Sequence, residues 1–315
     1  MSVIAAILLV FSCLLSGCAG GGSGNEDGVR LLDCPYQLKQ IYLYDENTGF
    51  GISTDNEVLF TESGIEDFVP VRKIEDIYSL SDSAINASLV DGQTIYVSYL
   101  SEADKSIVVE YTTDGGKKWN RTLTTYDEFL GGYDSLGNAY ISLGDDKNGY
   151  LLYCSSPAAG LMAKFLFATV DGGQSFSFVS DLSSVITGYP QGIACTGKGN
   201  AYIAVTYHGE DNYLYRTDDD GATWESQKLD MERSDISYID GLTPIFYGGE
   251  KQMGTMLLKT VGETITYTIC LTGDGGENWT KQKELPVENV SGYTAIEQNK
   301  LWFLDAEGNL FETMY

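Results

Sequence analysis

Bases are scarce in this chain. Lys and Arg total 19 against 45 Asp and Glu over 315 residues, which leaves a formal net charge of −26. A phosphate backbone needs clustered cations, so nucleic acid is excluded as a partner. The single histidine, His208, argues against His-ligated metal chemistry. Long apolar runs are missing too: the longest, Val3 to Leu15, is too short to cross a bilayer as a helix. None of the six cysteines stands in a CxxC arrangement, and there are only six prolines. What is plentiful is Gly (36) and Tyr (22), with 12% aromatic residues. That balance gives enough apolar surface for a core, which excludes disorder, and it favours many short strands joined by tight turns.

The apolar run from Val3 has the length of a signal-peptide core and ends in Leu15-Ser16-Gly17-Cys18. This resembles the bacterial lipoprotein signal, in which cleavage precedes a cysteine that then carries lipid. The resemblance implies a signal peptide over 1–17, lipidation of Cys18 and attachment to a membrane through that lipid. Residues 18–29, Gly-rich from Gly20 to Gly24, read as a flexible tether. An extracytoplasmic, lipid-anchored protein on a bacterial cell membrane is therefore expected, its remaining residues, 30–315, forming one folded unit. Four further cysteines, Cys34, Cys154, Cys195 and Cys270, either form two disulfides, with three pairings open, or stay as buried thiols.

A repeat fixes the architecture. Four segments share Thr-x-Asp-x-Gly-x-x-Trp/Phe, built on Thr112, Asp114, Gly116 and Trp119; Thr169, Asp171, Gly173 and Phe176; Thr217, Asp219, Gly221 and Trp224; and Thr272, Asp274, Gly276 and Trp279. A fifth, eroded copy runs from Thr61 to Phe68, with Ser63 in place of the Asp. A short Asp side chain accepts nearby backbone N–H groups, Gly takes positive φ, and the ring packs as the next strand leaves. The pattern resembles the Asp-box, or BNR, repeat of sialidases, sortilin-type receptors, some glucanases and propeller-type photosystem II assembly factors. It recurs over nearly the whole chain, with short strand patterns around each copy. The expected fold is all-β: a six-bladed β-propeller of four-stranded antiparallel blades. The last blade lacks an outer strand, which Arg30-Leu31-Leu32 supplies to close the ring.

The resemblance to sialidases raises an enzyme reading, but their arginine triad is hard to assemble here. Of five arginines, Arg121 and Arg216 adjoin the repeats, and neither Arg30 nor Arg72 opens an Arg-Ile-Pro sequence. The alternative is a glycoside hydrolase or lyase using two carboxylates across a cleft. Carboxylates are too numerous for any pair to stand out. Asp218-Asp219-Asp220-Gly221 fails as a calcium loop because Arg216 and Gln227 occupy ligand places, so no metal or cofactor is expected. No catalytic residue is assigned, and His208 lacks a nucleophile motif beside it. Much of the acid is expected on loops of the face opposite the repeats. A binding face there is assigned to Tyr126, Asp127, Asp145, Asp146, Tyr150, Tyr189, Tyr207, His208 and Glu210, with residues 143–160 as an insertion projecting from the third blade. The functional expectation is a monomeric, non-catalytic propeller that binds or scaffolds a protein or glycan.

Overall fold

The computed structural model describes residues 28–77, 85–101, 103–129, 137–158, 160–206, 213–227 and 237–315. Six antiparallel sheets form a β-propeller. Blade 1 holds β2 (Leu38–Leu43), β3 (Gly49–Ser53), β4 (Glu57–Thr61) and β5 (Val69–Lys73), counted after β1 (Val29–Leu31). Blade 2 holds β6 (Asn86–Leu89), β7 (Ile95–Ser101), β8 (Ser106–Thr112) and β9 (Asn120–Thr124). Blade 3 follows with β10 (Gly137–Leu143), β11 (Gly149–Ser155), β12 (Lys164–Thr169) and β13 (Ser177–Asp181). Blade 4 has β14 (Tyr189–Gly197), β15 (Asn200–Thr206), β16 (Leu214–Thr217) and β17 (Glu225–Gln227). In blade 5 the inner strand is split into β18 (Tyr238–Gly241) and β19 (Ile245–Tyr247), both pairing with β20 (Met253–Val261), before β21 (Ile265–Thr272) and β22 (Thr280–Leu285). Blade 6 has β23 (Gly292–Glu297), β24 (Lys300–Leu304) and β25 (Leu310–Met314). Its outer edge is completed by β1, Val29 pairing with Thr313 and Leu31 with Phe311.

The second and third strands of each blade are covered on both faces by neighbouring blades. They therefore read as nearly continuous apolar runs, such as the fully buried Ile95–Ser101. Outer strands meet water and turn polar, as in Thr280–Leu285. The core is consequently not one mass but six clusters, each filling the gap between two adjacent blades. Blades 1 and 2 share Phe50, Ile52, Val97 and Val108. Blades 6 and 1 share Leu38, Leu59, Phe68 and Trp302, which seals the ring where the chain ends meet.

The four Thr-x-Asp turns join third to fourth strands at one end of the ring, called here the turn end. In each, the Thr hydroxyl donates to the Asp carboxylate (2.7 to 2.9 Å) and accepts the N–H of the second Gly position, as in Gly116 N to Thr112 Oγ1 at 2.9 Å. The same carboxylate accepts an N–H four residues on: Lys118, Ser175, Thr223 or Asn278. Glycine is required twice over at Gly276: its φ is 93°, and a Cβ there would stand only 2.7 Å from the Tyr202 ring of the preceding blade. Outer strands also donate into the next blade's turn, Thr122 to Gly173 O at 2.7 Å and Ser180 to Gly221 O at 3.2 Å. The turns thus staple blade to blade. In the eroded copy the Thr61 hydroxyl donates instead to Gly64 O at 2.7 Å.

All four cysteines between Cys34 and Cys270 are free thiols, so of the two states open from the sequence the fold adopts the unbridged one. Residues 143–160 are not an insertion. They comprise a tight turn, all of β11 paired on both edges, and the start of the next loop, so the two halves of the segment leave at opposite ends of blade 3.

Candidate ligand-binding channel

Each blade offers its inner strand to a central channel, and an inner strand has one edge with no strand beside it. Its backbone groups need other partners. Side chains of the neighbouring blade supply them. Ser88 Oγ accepts Leu143 N–H (2.9 Å), Ser142 Oγ accepts Cys195 N–H (2.8 Å) and Thr294 Oγ1 accepts Leu43 N–H (3.5 Å). Carbonyls are met likewise: Gln40 Nε2 donates to Ile85 O (2.6 Å), Asn86 Nδ2 to Ala139 O (2.9 Å), Tyr140 Oη to Pro190 O (3.0 Å) and Tyr293 Oη to Thr243 O (2.6 Å). These clasps satisfy part of the inner rim's backbone.

That space is a cavity of about 870 Å³. Its wall mixes aliphatic residues of the inner strands, such as Ile41, Leu89, Ile141 and Ile193, with Tyr42, Tyr44, Tyr140, Tyr247 and Tyr293 and with Gln, Asn, Ser and Thr, and among the described residues it has only three charged ones: Asp91, Asp145 and Lys251. All three sit in first-to-second-strand loops at the turn end. Asp91 and Asp145 are occupied in turns of their own. Asp91 accepts Gln93 N–H at 2.7 Å, and Asp145 accepts Lys147 N–H at 2.7 Å and Asn148 N–H at 2.6 Å. Burial pushes the Asp145 carboxyl up, but the Asn148 and Lys147 donors outweigh it and hold the group below the usual carboxylate range. Burial pushes the Lys251 amine down, opposed by Cys195 and Asp145.

The expected binding face is not assembled. Asp145 and Asp146 lie at the turn end, because the loop after an inner strand shares that end with the repeat turns; Gly172 of blade 3's own repeat donates its N–H to Lys147 O. Tyr126 is 4% exposed and stacks on Tyr153 at 4.4 Å, and Tyr150, also 4% exposed, packs beside Gly221 of blade 4. Both are core residues. Asp127 begins a short 3-10 turn, Asp127–Phe129, on the connection from blade 2 to blade 3, at the end opposite the repeats. Tyr189 opens β14 at that same end and is half-buried. Tyr207, His208 and Glu210, like Cys18, lie outside the described residues. Among the described residues no arginine lines the channel: Arg30, Arg72, Arg121 and Arg216 are paired with Glu312, Glu110, Asp104 and Glu277 on third and outer strands and on loops. No group of three metal-ligating side chains occurs among them either.

What the sequence reading missed is the channel itself. Ser88, Ser142 and Thr294 occupy matching places in inner strands, opposite Tyr96, Tyr150 and Trp302 of the second strands, and only superposing the inner strands on one another would have exposed them.

By its fold the chain is a six-bladed β-propeller, ring-closed by its N-terminal strand. No protein-family model and no curated protein matches it. Among solved structures it is similar to YCF48 from Cyanidioschyzon merolae, at 16% identity over 91% of this chain and 99% of that one, with a TM-score of 0.53. It is also similar to the fucose-specific lectin from Aleuria aurantia, at 12% identity over 88% and 90% with a TM-score of 0.51. A GH74 enzyme from Niastella koreensis shows 9% identity over 89% of this chain and 52% of that one, at 0.50. At such identities the likeness is one of fold.

Proposed function

We propose that this protein is an extracytoplasmic, lipid-anchored, non-catalytic propeller that binds a glycan in its central channel. The fold hosts a lectin and a glycoside hydrolase alike, so the choice between them is made by the site. One observation carries the reading: in a chain of net charge −26, the channel wall among the described residues is almost wholly neutral, with tyrosine, amide and hydroxyl side chains set among aliphatic ones over partly capped backbone edges. Tyrosine faces and amides suit sugar rings and hydroxyls. Capped edges leave little for an extended peptide to pair with. Glycoside hydrolysis would need a carboxyl held protonated near neutrality opposite a second one. The two channel aspartates are instead hydrogen-bonded into turns.

The Thr-x-Asp turns are read as Asp-box repeats whose role is to staple the blades. The anchor rests on Leu15-Ser16-Gly17-Cys18 and the Gly-rich stretch after it. The detergent-solubilised protein, applied to arrayed glycans and to a peptide library, is expected to retain a glycan and to release no new reducing ends from it. Retention of peptides alone, or turnover of the bound glycan, overturns the reading. For the anchor, Cys18→Ala is expected to shift the protein from the membrane fraction to the soluble one; an unchanged distribution refutes it.

A further inference from the structure

Among the described residues, Lys251 is the one cation on the channel wall. It sits in the loop between β19 and β20 with φ of 50°, a left-handed conformation that a lysine does not adopt for its own sake. From blade 5 its side chain reaches past blade 4 to blade 3, where Nζ donates to Leu143 O at 3.0 Å. The loops it crosses are drawn tightly together: a Cβ on Gly144 would stand 2.5 Å from Gly197 N and 2.9 Å from Cys195 Sγ. Among the described residues no carboxylate forms an ion pair with Lys251. The nearby Asp145 spends its oxygens on the N–H groups of Lys147 and Asn148 and on the Asn148 side-chain amide. Cys195, held up at about 11 chiefly by burial, stays a neutral thiol. An ammonium has three donors and the Leu143 carbonyl takes one. A largely desolvated cation that feels Asp145 only at a distance and has no carboxylate in contact is costly in a folded protein, unless a ligand brings one.

We propose that the channel takes an acidic glycan, a chain bearing uronate, and that Lys251 receives its carboxylate at the turn end of the cavity. The inference rests on the glycan-binding reading and adds the charge of the ligand. The exposed polar groups of the wall, Tyr44 and Gln191, remain for the neutral body of the sugar. The negative charge of the protein as a whole does not oppose this strongly. Apart from Asp91 and Asp145, whose oxygens are engaged in turns, it lies among the described residues outside the channel lining and is screened by salt, whereas a contact in the cavity is not.

The test compares a glucuronate oligosaccharide with its carboxyl-reduced form, which keeps the body and loses the charge, by calorimetry on the full chain in detergent. A charge-assisted hydrogen bond predicts about tenfold or greater preference for the acid. Lys251→Met is expected to abolish the preference, the two forms then binding alike, and an unchanged circular-dichroism spectrum shows that the variant folds. Lys251→Gln, able to keep the Leu143 hydrogen bond, should lose the preference equally. A purely structural strut would not change the ratio of the two affinities. Equal affinities in the unaltered protein, or a preference that survives in both variants, overturn the proposal while the glycan reading stands. Binding of neither oligosaccharide, with a peptide bound instead, overturns both.

Discussion

Glu110 is the one buried carboxylate among the described residues. Its side chain is 3% exposed, in the third strand of blade 2. Arg72 from the outer strand of blade 1 grips both its oxygens, Nε to Oε2 at 2.7 Å and Nη2 to Oε1 at 2.9 Å. Tyr99 adds a hydroxyl at 3.1 Å and Arg121 stands 3.7 Å away. Glu110→Gln keeps the shape and removes the charge, and it turns an amide N–H toward a guanidinium that also donates. Breaking a buried pair this way costs about 3 to 5 kcal/mol when both partners are enclosed. Here the two arginines are 41% and 42% exposed and regain water, so the expected loss is reduced to about 2 kcal/mol. For a domain of this size that lowers the melting temperature by roughly 4 °C. Urea unfolding followed by tryptophan fluorescence measures the loss. Arg72→Met combined with Glu110→Met should lose less than the two single changes summed, because no unpaired carboxylate is left behind. A Glu110→Gln variant within about 0.5 kcal/mol of the parent, or full additivity in the cycle, refutes the account.

Ser142→Ala orphans the buried N–H of Cys195 and is expected to destabilise by about 1 to 2 kcal/mol in the same urea assay, with unchanged secondary structure by circular dichroism. The Asp of each repeat turn is held below the usual carboxylate range, Asp171 chiefly by the Ser175 hydroxyl and Asp114 chiefly by the Lys118 N–H. A depressed folded pKa gives stability that is present above the unfolded value near 3.8 and lost as pH falls through the folded one. Urea midpoints should therefore drop only below about pH 4, and Asp171→Asn should show a shallower drop. Cys154, Cys195 and Cys270 are buried, with thiols pushed up to about 12, 11 and 12 by desolvation, so they should resist an aromatic disulfide reagent until urea unfolds the chain. Prompt labelling of any of the three in the native protein would contradict their burial.

The fold was legible because a propeller writes its plan locally. Thr, Asp, Gly and an aromatic ring within eight residues specify each turn, and the doubly covered strands on either side announce themselves by being apolar at nearly every position. The site was not legible, because its clasps join residues about 50 positions apart, such as Ser88 with Leu143. Tyr126 and Tyr150 misled for a related reason: a tyrosine near a predicted loop looks like a contact residue, but here each ring completes a core between blades. A second turn signal did lie in the sequence. Asp45-x-x-Thr48-Gly49-Phe50 and Asp145-x-x-Asn148-Gly149-Tyr150 share one spacing, and in both the Asp accepts N–H groups two and three residues on. In both, too, a Cβ on the Gly would stand 2.6 or 2.7 Å from a carbonyl of the inner strand, Tyr42 O or Ser142 O. Reading that motif would have put Asp145 at the correct end of blade 3.

The acid excess takes on a different meaning once these turns are placed. Asp114, Asp171, Asp219 and Asp274, together with Asp45, Asp91 and Asp145, hold turns at one end of the ring, and Asp305 and Asp181 do the same at or toward the other. These aspartates are therefore placed by turn chemistry, most of them at the turn end, rather than gathered into an acidic recognition face opposite the repeats. A carboxylate whose oxygens are taken by backbone N–H groups is a poor ligand for a cation or a cationic partner, since the same lone pairs are already engaged. The channel, by contrast, has among the described residues charge only at its turn end, where one amine stands with Asp91 and Asp145. Selection of a ligand thus falls to a largely neutral cavity in which Lys251 is the one cation among the described residues, while nine of the acids behind the net charge of −26 serve to hold turns.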